Sequence, residues 1–345
     1  MRNVLLFITL SSLLISGCAT SSKKNISSVT VSAVGDIFMG GTSAPIMANM
    51  GYDYPFETTK PLYLDSDIVI GNLEGPLTSQ GNPVLDKYYV YRTPINKVAP
   101  ALAQAGFDIV TLANNHSLDY GITGLRDTII SLEKHHIAHI GAGRTLKEAR
   151  KAHVFERNGL KIGFLGYPLT FPEEYWANEK QGGTSFAREE FMREDLQILR
   201  KKVDCIVVSF HWGRELQTEL RPYQTRMGRM AIDEGADVVI GHHPHIMQGI
   251  ERYKNGVLLY SLGNYVFGSY SNKVQFGGIA KIILDQKGFK QLEVSLIDIN
   301  NFRQQFQPKL LQEPLLSQSL TEIIQLSNAQ KTKLLIQDGK LTLER

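Results

Sequence analysis

Six short polar motifs in this chain each follow an apolar run. They are Ala33-Val34-Gly35-Asp36, Ile68-Val69-Ile70-Gly71-Asn72-Leu73-Glu74, Val110-Thr111-Leu112-Ala113-Asn114-Asn115-His116, Val207-Val208-Ser209-Phe210-His211 continuing to Glu215, Val238-Val239-Ile240-Gly241-His242-His243-Pro244-His245, and Leu258-Leu259-Tyr260-Ser261-Leu262-Gly263-Asn264. Together they offer carboxylates, amide oxygens and imidazoles, which are hard or borderline ligands for a divalent metal. Singly each has a plainer reading. A carboxylate at a strand end is commonly a helix cap, and an Asn-His pair is commonly a turn. Three imidazoles around one proline, in His242-His243-Pro244-His245, are harder to assign to packing and point to metal or phosphate chemistry. His135, His136, His139 and His153 fall outside the pattern, at a helix end or in nearby loops, and read as surface or capping residues.

The elements that must position these groups alternate along the chain. Short apolar runs predict strands at Val29–Val34, Ile68–Ile70, Ile109–Leu112, Ile162–Leu165, Ile206–Phe210, Val238–Ile240 and Val257–Ser261. Most are continuous, as in strands buried on both faces. Helical patterns lie between them at Asn96–Ala105, Ile122–His135, Glu189–Lys201 and Tyr223–Glu234. The alternation predicts an α/β fold, and loops at the carboxyl ends of parallel strands converge there. Asn158-Gly159 and Lys287-Gly288 read as hairpin turns, so the sheet order is mixed, in one sheet or in two packed face to face. Glu313–Ala329 reads as an amphipathic helix, and Asp338-Gly339 as the turn of a closing hairpin.

Composition is that of an ordinary globular chain: 345 residues, 43% hydrophobic and 21% charged. A net charge of +3 falls to +2 without Arg2, which argues against nucleic acid or an anionic membrane surface as an electrostatic partner. Arg2, the apolar centre through Ile15 and the small Ser16-Gly17 follow the plan of a secretory leader. Cys18 after Leu-Ile-Ser-Gly resembles the bacterial lipobox. That resemblance implies a signal peptide at 1–17, cleavage before Cys18, its lipidation, and a tether at 18–28. It places the protein in the cell envelope, extracytoplasmic and lipid-anchored, at the outer membrane if the cell has one. Cys205, in a strand pattern, reads as a buried thiol.

Gly35-Asp36, Asn72-Leu73-Glu74, Asn114-Asn115-His116 with Asp119-Tyr120-Gly121, His211-Trp212-Gly213 with Glu215, Gly241 with His243-Pro244-His245, and Ser261-Leu262-Gly263-Asn264-Tyr265 resemble the bacterial capsule-synthesis CapA family, also called the poly-γ-glutamate synthesis family. The match runs from about Val29 to Phe267. That family is similar in fold to the calcineurin-like metallophosphoesterases, which implies two mixed β-sheets in a sandwich flanked by helices. The expected domain spans residues 29–300, with 301–345 as a C-terminal helix and hairpin extension.

The resemblance further implies a site for two divalent ions, Mn, Fe or Zn. Asp36 would hold one metal, with Glu74 near the bridging position. Asn115 and His211 would hold the second, and His243 and His245 would divide between them. His116 would sit beside the substrate as acid or electrostatic partner, and Asn114 or Asn264 would orient ligands. The phosphoesterases carry Asp-x-His on the first strand, and Phe38 stands at that position here. Asn72, Glu215 or water would then replace the imidazole, or only one metal would bind tightly. The expected function is hydrolysis of a phosphoester or related ester in capsule or poly-γ-glutamate biosynthesis. The alternative is a non-catalytic assembly factor that holds an anionic surface polymer within a membrane complex. Arg126, Arg214, Arg221 and Tyr120 read as solvated or packing residues.

Overall fold

The computed structural model describes residues 27–345. The leader, Cys18 and most of the tether lie outside those residues. No helix among the described residues is long and apolar enough to cross a membrane.

Two mixed sheets face each other. The larger contains ten strands, and its main path runs Leu335–Gln337, Lys340–Glu344, Gly288–Asp298, Phe276–Asp285, Ser28–Phe38, Ile68–Leu73, Ile109–Thr111, Ala138–Ile140. The smaller has six, in the order Ile250–Tyr253, Gly256–Leu259, Val238–His242, Cys205–His211, Leu160–Pro168, His153–Arg157. The motif-bearing strands pair in parallel within each sheet: Ser28–Phe38 with Ile68–Leu73, that strand with Ile109–Thr111, and Cys205–His211 with Val238–His242.

Period-two alternation sorts the apolar residues into layers. Val29, Val31, Ile68, Ile70 and Ile109 of the large sheet meet Ile162, Phe164, Cys205, Val207, Val238 and Ile240 of the small one in a shared core. The opposite rows, Val34, Val69 and Val110, pack under the helices Val98–Ala105 and Gly121–Lys134. Ile206, Val208, Phe210 and Val239 pack under Glu189–Arg200 and Pro222–Asp233. The layers are therefore helix, sheet, sheet, helix. Strands covered on both faces explain the unbroken apolar runs.

The four expected helices lie within a few residues of the positions predicted from spacing. His139 and His153 stand in strands, Ala138–Ile140 and His153–Arg157, rather than in loops. Their short, partly buried strands carry too few alternating residues to show a period. The helix Leu315–Ala329 packs on the shared core through Leu320 and Ile323. The closing hairpin adds the two outermost strands of the large sheet.

Candidate metal centre

The inward rows of both sheets end in polar side chains. On the small sheet Cys205 and Val207 are followed on the same face by Ser209 and His211, and Val238 and Ile240 by His242. On the large sheet Ile68 and Ile70 are followed by Asn72, and Glu74 comes just after. Asp36 lies beyond a register irregularity in its strand. Two glycines let the strand ends approach. A Cβ on Gly35 would lie 1.9 Å from the Gly263 carbonyl oxygen, and one on Gly241 2.0 Å from that of Tyr260. His243 and His245 adopt positive φ, 98° and 60°. Few non-glycine residues do so, and such conformations cluster at functional sites.

The large-sheet half is cross-linked by amides. Asn72 Nδ2 donates to Asp36 Oδ1 at 2.8 Å and to Glu74 Oε2 at 3.4 Å. Asn114 Nδ2 donates to Asn72 Oδ1 at 3.0 Å and to the Leu73 carbonyl at 2.9 Å. His242 Nδ1 stands 3.2 Å from Asp36 Oδ1. With Asn72 and His242 both at Oδ1, the other oxygen, Oδ2, faces the His243 amide at 3.2 Å and His245 Nδ1 at 3.3 Å.

The imidazoles surround Glu74. Its Oε1 is buried with no hydrogen-bond partner, while Nε2 of His116, His211 and His245 lie 3.8, 4.0 and 4.0 Å away. His243 Nδ1 and His242 Nε2 are likewise buried without a partner. Asp36, Glu74 and His211 bring ligand atoms within 4.8 Å of one another, and so do Glu74, His243 and His245. Asn115 Oδ1 lies 2.8 Å from His211 Nε2. Unpaired buried polar atoms are costly and rare. Imidazole nitrogens 4 Å from a bare carboxylate oxygen leave room for a cation between them, and this donor set suits Zn, Mn or Fe. The residues present fit a divalent metal, with Glu74 shared by both groups.

Electrostatics agree. Burial pushes the Glu74 carboxyl well above the usual range, against the pull of His245 and with help from Asp36 and Glu215. Burial would also raise Asp36, but His242 and His245 hold it well below the carboxylate range. Burial drives His211 down, and takes His243 down to about 3 with the His245 charge adding to it. His245, opposed by burial, is raised to about 10 by Glu74 and Asp36. His245 thus carries the positive charge beside carboxylates that want a cation.

His116 sits at one edge. Its Nδ1 lies 2.6 Å from Asp119 Oδ2, so Nδ1–H donates there and Nε2 faces the centre. Burial takes its pKa down to about 4, Asp119 opposing. The neutral ring therefore holds no proton at Nε2 to give, and accepts one instead. Lys87 Nζ bonds Asp119 Oδ1 at 2.5 Å and the Asn115 carbonyl at 2.5 Å. Tyr175 donates to Asp119 Oδ1 at 2.9 Å. Tyr91 stacks on His116 with ring centroids 3.8 Å apart, and Phe38 stacks on Tyr91 at 4.1 Å. Phe38 is thus the outer ring of a three-layer stack that ends on His116.

Of the expected site residues, Asp36, Asn72, Glu74, Asn114, Asn115, His116, His211, His243 and His245 converge here. Asn264 Oδ1 takes His245 Nδ1 at 2.8 Å, which turns Nε2 toward Glu74. Glu215 is exposed, at the mouth of a cleft it lines together with His245 and Asn264. Arg126, Arg214 and Arg221 are exposed. Sequence reading placed His242 and Asp119 in motifs without giving either a role, and left out Lys87, Tyr91 and Tyr175. Same-face spacing from Ile240 pointed to His242. The irregular 79–92 segment holding Lys87 and Tyr91 carries no periodic signal.

A family description, "Bacterial capsule synthesis protein PGA_cap", matches residues 30–269. The chain belongs to this family. Among its curated relatives, the PGA biosynthesis protein CapA of Bacillus subtilis is 31% identical over 317 residues, covering 92% of this chain and 82% of that protein. The capsule biosynthesis protein CapA of Bacillus anthracis is 31% identical over 277 residues, covering 79% and 67%. Among solved structures, the calcineurin-like phosphoesterase YfkN of Bacillus subtilis superposes with a TM-score of 0.45 at 18% identity, covering 79% of this chain and 91% of that one. So loose a likeness adds nothing to the geometry of the family member described above.

Proposed function

We propose that this protein is a metal-dependent hydrolase of phosphoester or related ester bonds, acting in capsule or poly-γ-glutamate biosynthesis and anchored to the cell envelope through Cys18. The observation that carries the hydrolase reading is the partnerless Glu74 Oε1 within 4.0 Å of three imidazole Nε2 atoms, drawn from strand ends of both sheets. The relatives' names support the biosynthetic setting, and the leader pattern supports the anchor.

In this reading Asp36, Glu74, Asn115, His211, His243 and His245 would hold two cations. When bound, these supply Lewis acidity at the phosphoryl oxygen and offset developing charge. Asn72 holds the Asp36 carboxylate in place through Oδ1. Asn264 fixes the His245 tautomer. His116, its Nδ1–H given to Asp119, presents a bare Nε2 that takes a proton or accepts a hydrogen bond from a reacting group, a contribution of about 10²–10⁴-fold. The Phe38–Tyr91 stack keeps that ring in place and shields it from water.

A second reading, an assembly factor that holds an anionic polymer without catalysis, is favoured by Phe38 in place of an imidazole. Elemental analysis of the purified protein, alone and as His243→Ala, separates them together with 4-nitrophenyl phosphate turnover. Two equivalents of a transition metal, reduced in the variant, with turnover lost in both Asp36→Ala and His116→Ala, supports the hydrolase. No metal after supplying Mn, Fe and Zn sinks it. Metal with no turnover, and capsule function kept by His116→Ala but lost in Asp36→Ala, supports the assembly factor.

A further inference from the structure

A cleft of about 690 Å³ opens directly from the metal centre, sharing His245 and Asn264 with it and lined also by Glu215. Its lining includes the 88–92 segment and Tyr270. The chain has 14 tyrosines. Among the described residues the exposed ones are Tyr88, Tyr89 and Tyr270, at 92%, 59% and 46%, and all three line this cleft. Large rings left in water around one cavity, rather than scattered, mark a binding surface.

The other rings of the cleft are already engaged. Both faces of Tyr91 are covered, by Phe38 and His116, and Arg92 lies 4.6 Å over Tyr120. Tyr88 and Tyr89 meet edge to face at 4.7 Å and Tyr270 packs against Phe302 and Phe306, yet all three keep much of their surface in water. Charge restricts the occupant further. Arg92 is the one Lys or Arg lining the cleft; with the His245 charge at its inner end and Glu215 opposing, the positive charges do not form a row. A polymer with a carboxylate on every unit would find no matching row of cations, whereas hydroxyls of Thr42, Ser269 and Ser271 stand among the rings.

We propose that this cleft is a subsite for an uncharged ring, a sugar or a nucleobase, carried by the leaving group and held by stacking on Tyr89 and Tyr270 while its ester reaches the metal centre. The proposal rests on the hydrolase reading for the ester, but the ring subsite can be tested without it. Full-length protein is stripped of metal with a chelator and titrated calorimetrically with methyl glucoside and with adenosine. Binding of either, weakened roughly tenfold or more in Tyr89→Ala and in Tyr270→Ala, supports the subsite, since ring stacking is worth that much per base. The probe that binds says which ring. Both side chains are exposed, so the variants keep the fold. Binding of neither ring, binding unchanged in both variants, or displacement of the bound ring by poly-γ-glutamate would overturn it. Ring binding that persists in a protein without turnover keeps the subsite and removes only the hydrolase reading.

Discussion

The two halves of the centre are built differently. The large-sheet half is oxygen-rich and cross-linked, with Glu74 Oε1 its one bare atom: Asn72 and Asn114 tie Asp36, the other Glu74 oxygen and the Leu73 carbonyl into one network. The small-sheet half is nitrogen-rich and unsatisfied, with partnerless ring atoms on His242 and His243 and two imidazole residues at positive φ. Amides fix carboxylates that would otherwise repel each other, whereas nitrogens meant for a cation must be kept free of protein donors and acceptors. One half is preorganised by hydrogen bonds and the other by backbone strain. In the proposed reading, a cation joins them.

The largest effect is expected from breaking the nitrogen half. His243→Ala should remove at least one equivalent of metal, read by elemental analysis, with the fold kept by circular dichroism. Retained stoichiometry would mean that the imidazoles are structural. Breaking the oxygen half should cost less: Asn72→Ala, which leaves every ligand in place, should weaken metal binding about 10–100-fold by titration. An effect equal to that of His243→Ala would erase the distinction between the halves.

The metal-free protein sharpens the contrast through pH. His116 and His243 titrate near 4 and 3 in the folded state against 6.5 unfolded. Between these values the unfolded chain binds more protons, so stability is lost as pH falls below 6.5. His245 is raised to about 10, so its contribution is present below 6.5 and lost as pH rises toward 10. Melting temperature should therefore fall on both sides, and His243→Gln should flatten the acid limb. Saturating metal should raise it, by about 2.7 kcal/mol of stability at 100 times Kd. The smallest effect is expected outside both halves. Cys205, pushed up to about 12 by burial, should resist thiol reagents in the folded protein, and Cys205→Ala should leave metal content unchanged.

Much of this was legible in the chain. Continuous apolar runs announced strands covered on both faces, and the 3.6-residue spacing located the four helices of the outer layers. Polar residues placed just past those runs named nine members of the centre, because a motif at a strand end keeps its address whatever the sheet order. Lys87 and Tyr91 were not legible. They reach Asp119 and His116 from an irregular segment whose path is set by what it packs against. Glu215, expected as a stand-in for the missing imidazole, lies exposed on the cleft it lines with His245 and Asn264, close enough for its charge to act on Glu74 and His245.

The sequence by itself determined which residue types stand at the strand ends and on which face, since alternation and burial are local consequences of side-chain order. The tertiary structure alone decided that strand ends from two different sheets meet, that Asn72 and His242 share one oxygen of Asp36, and that Glu74 is left bare among imidazoles. Those outcomes depend on how two twisted sheets stack over a common core, which no local pattern encodes.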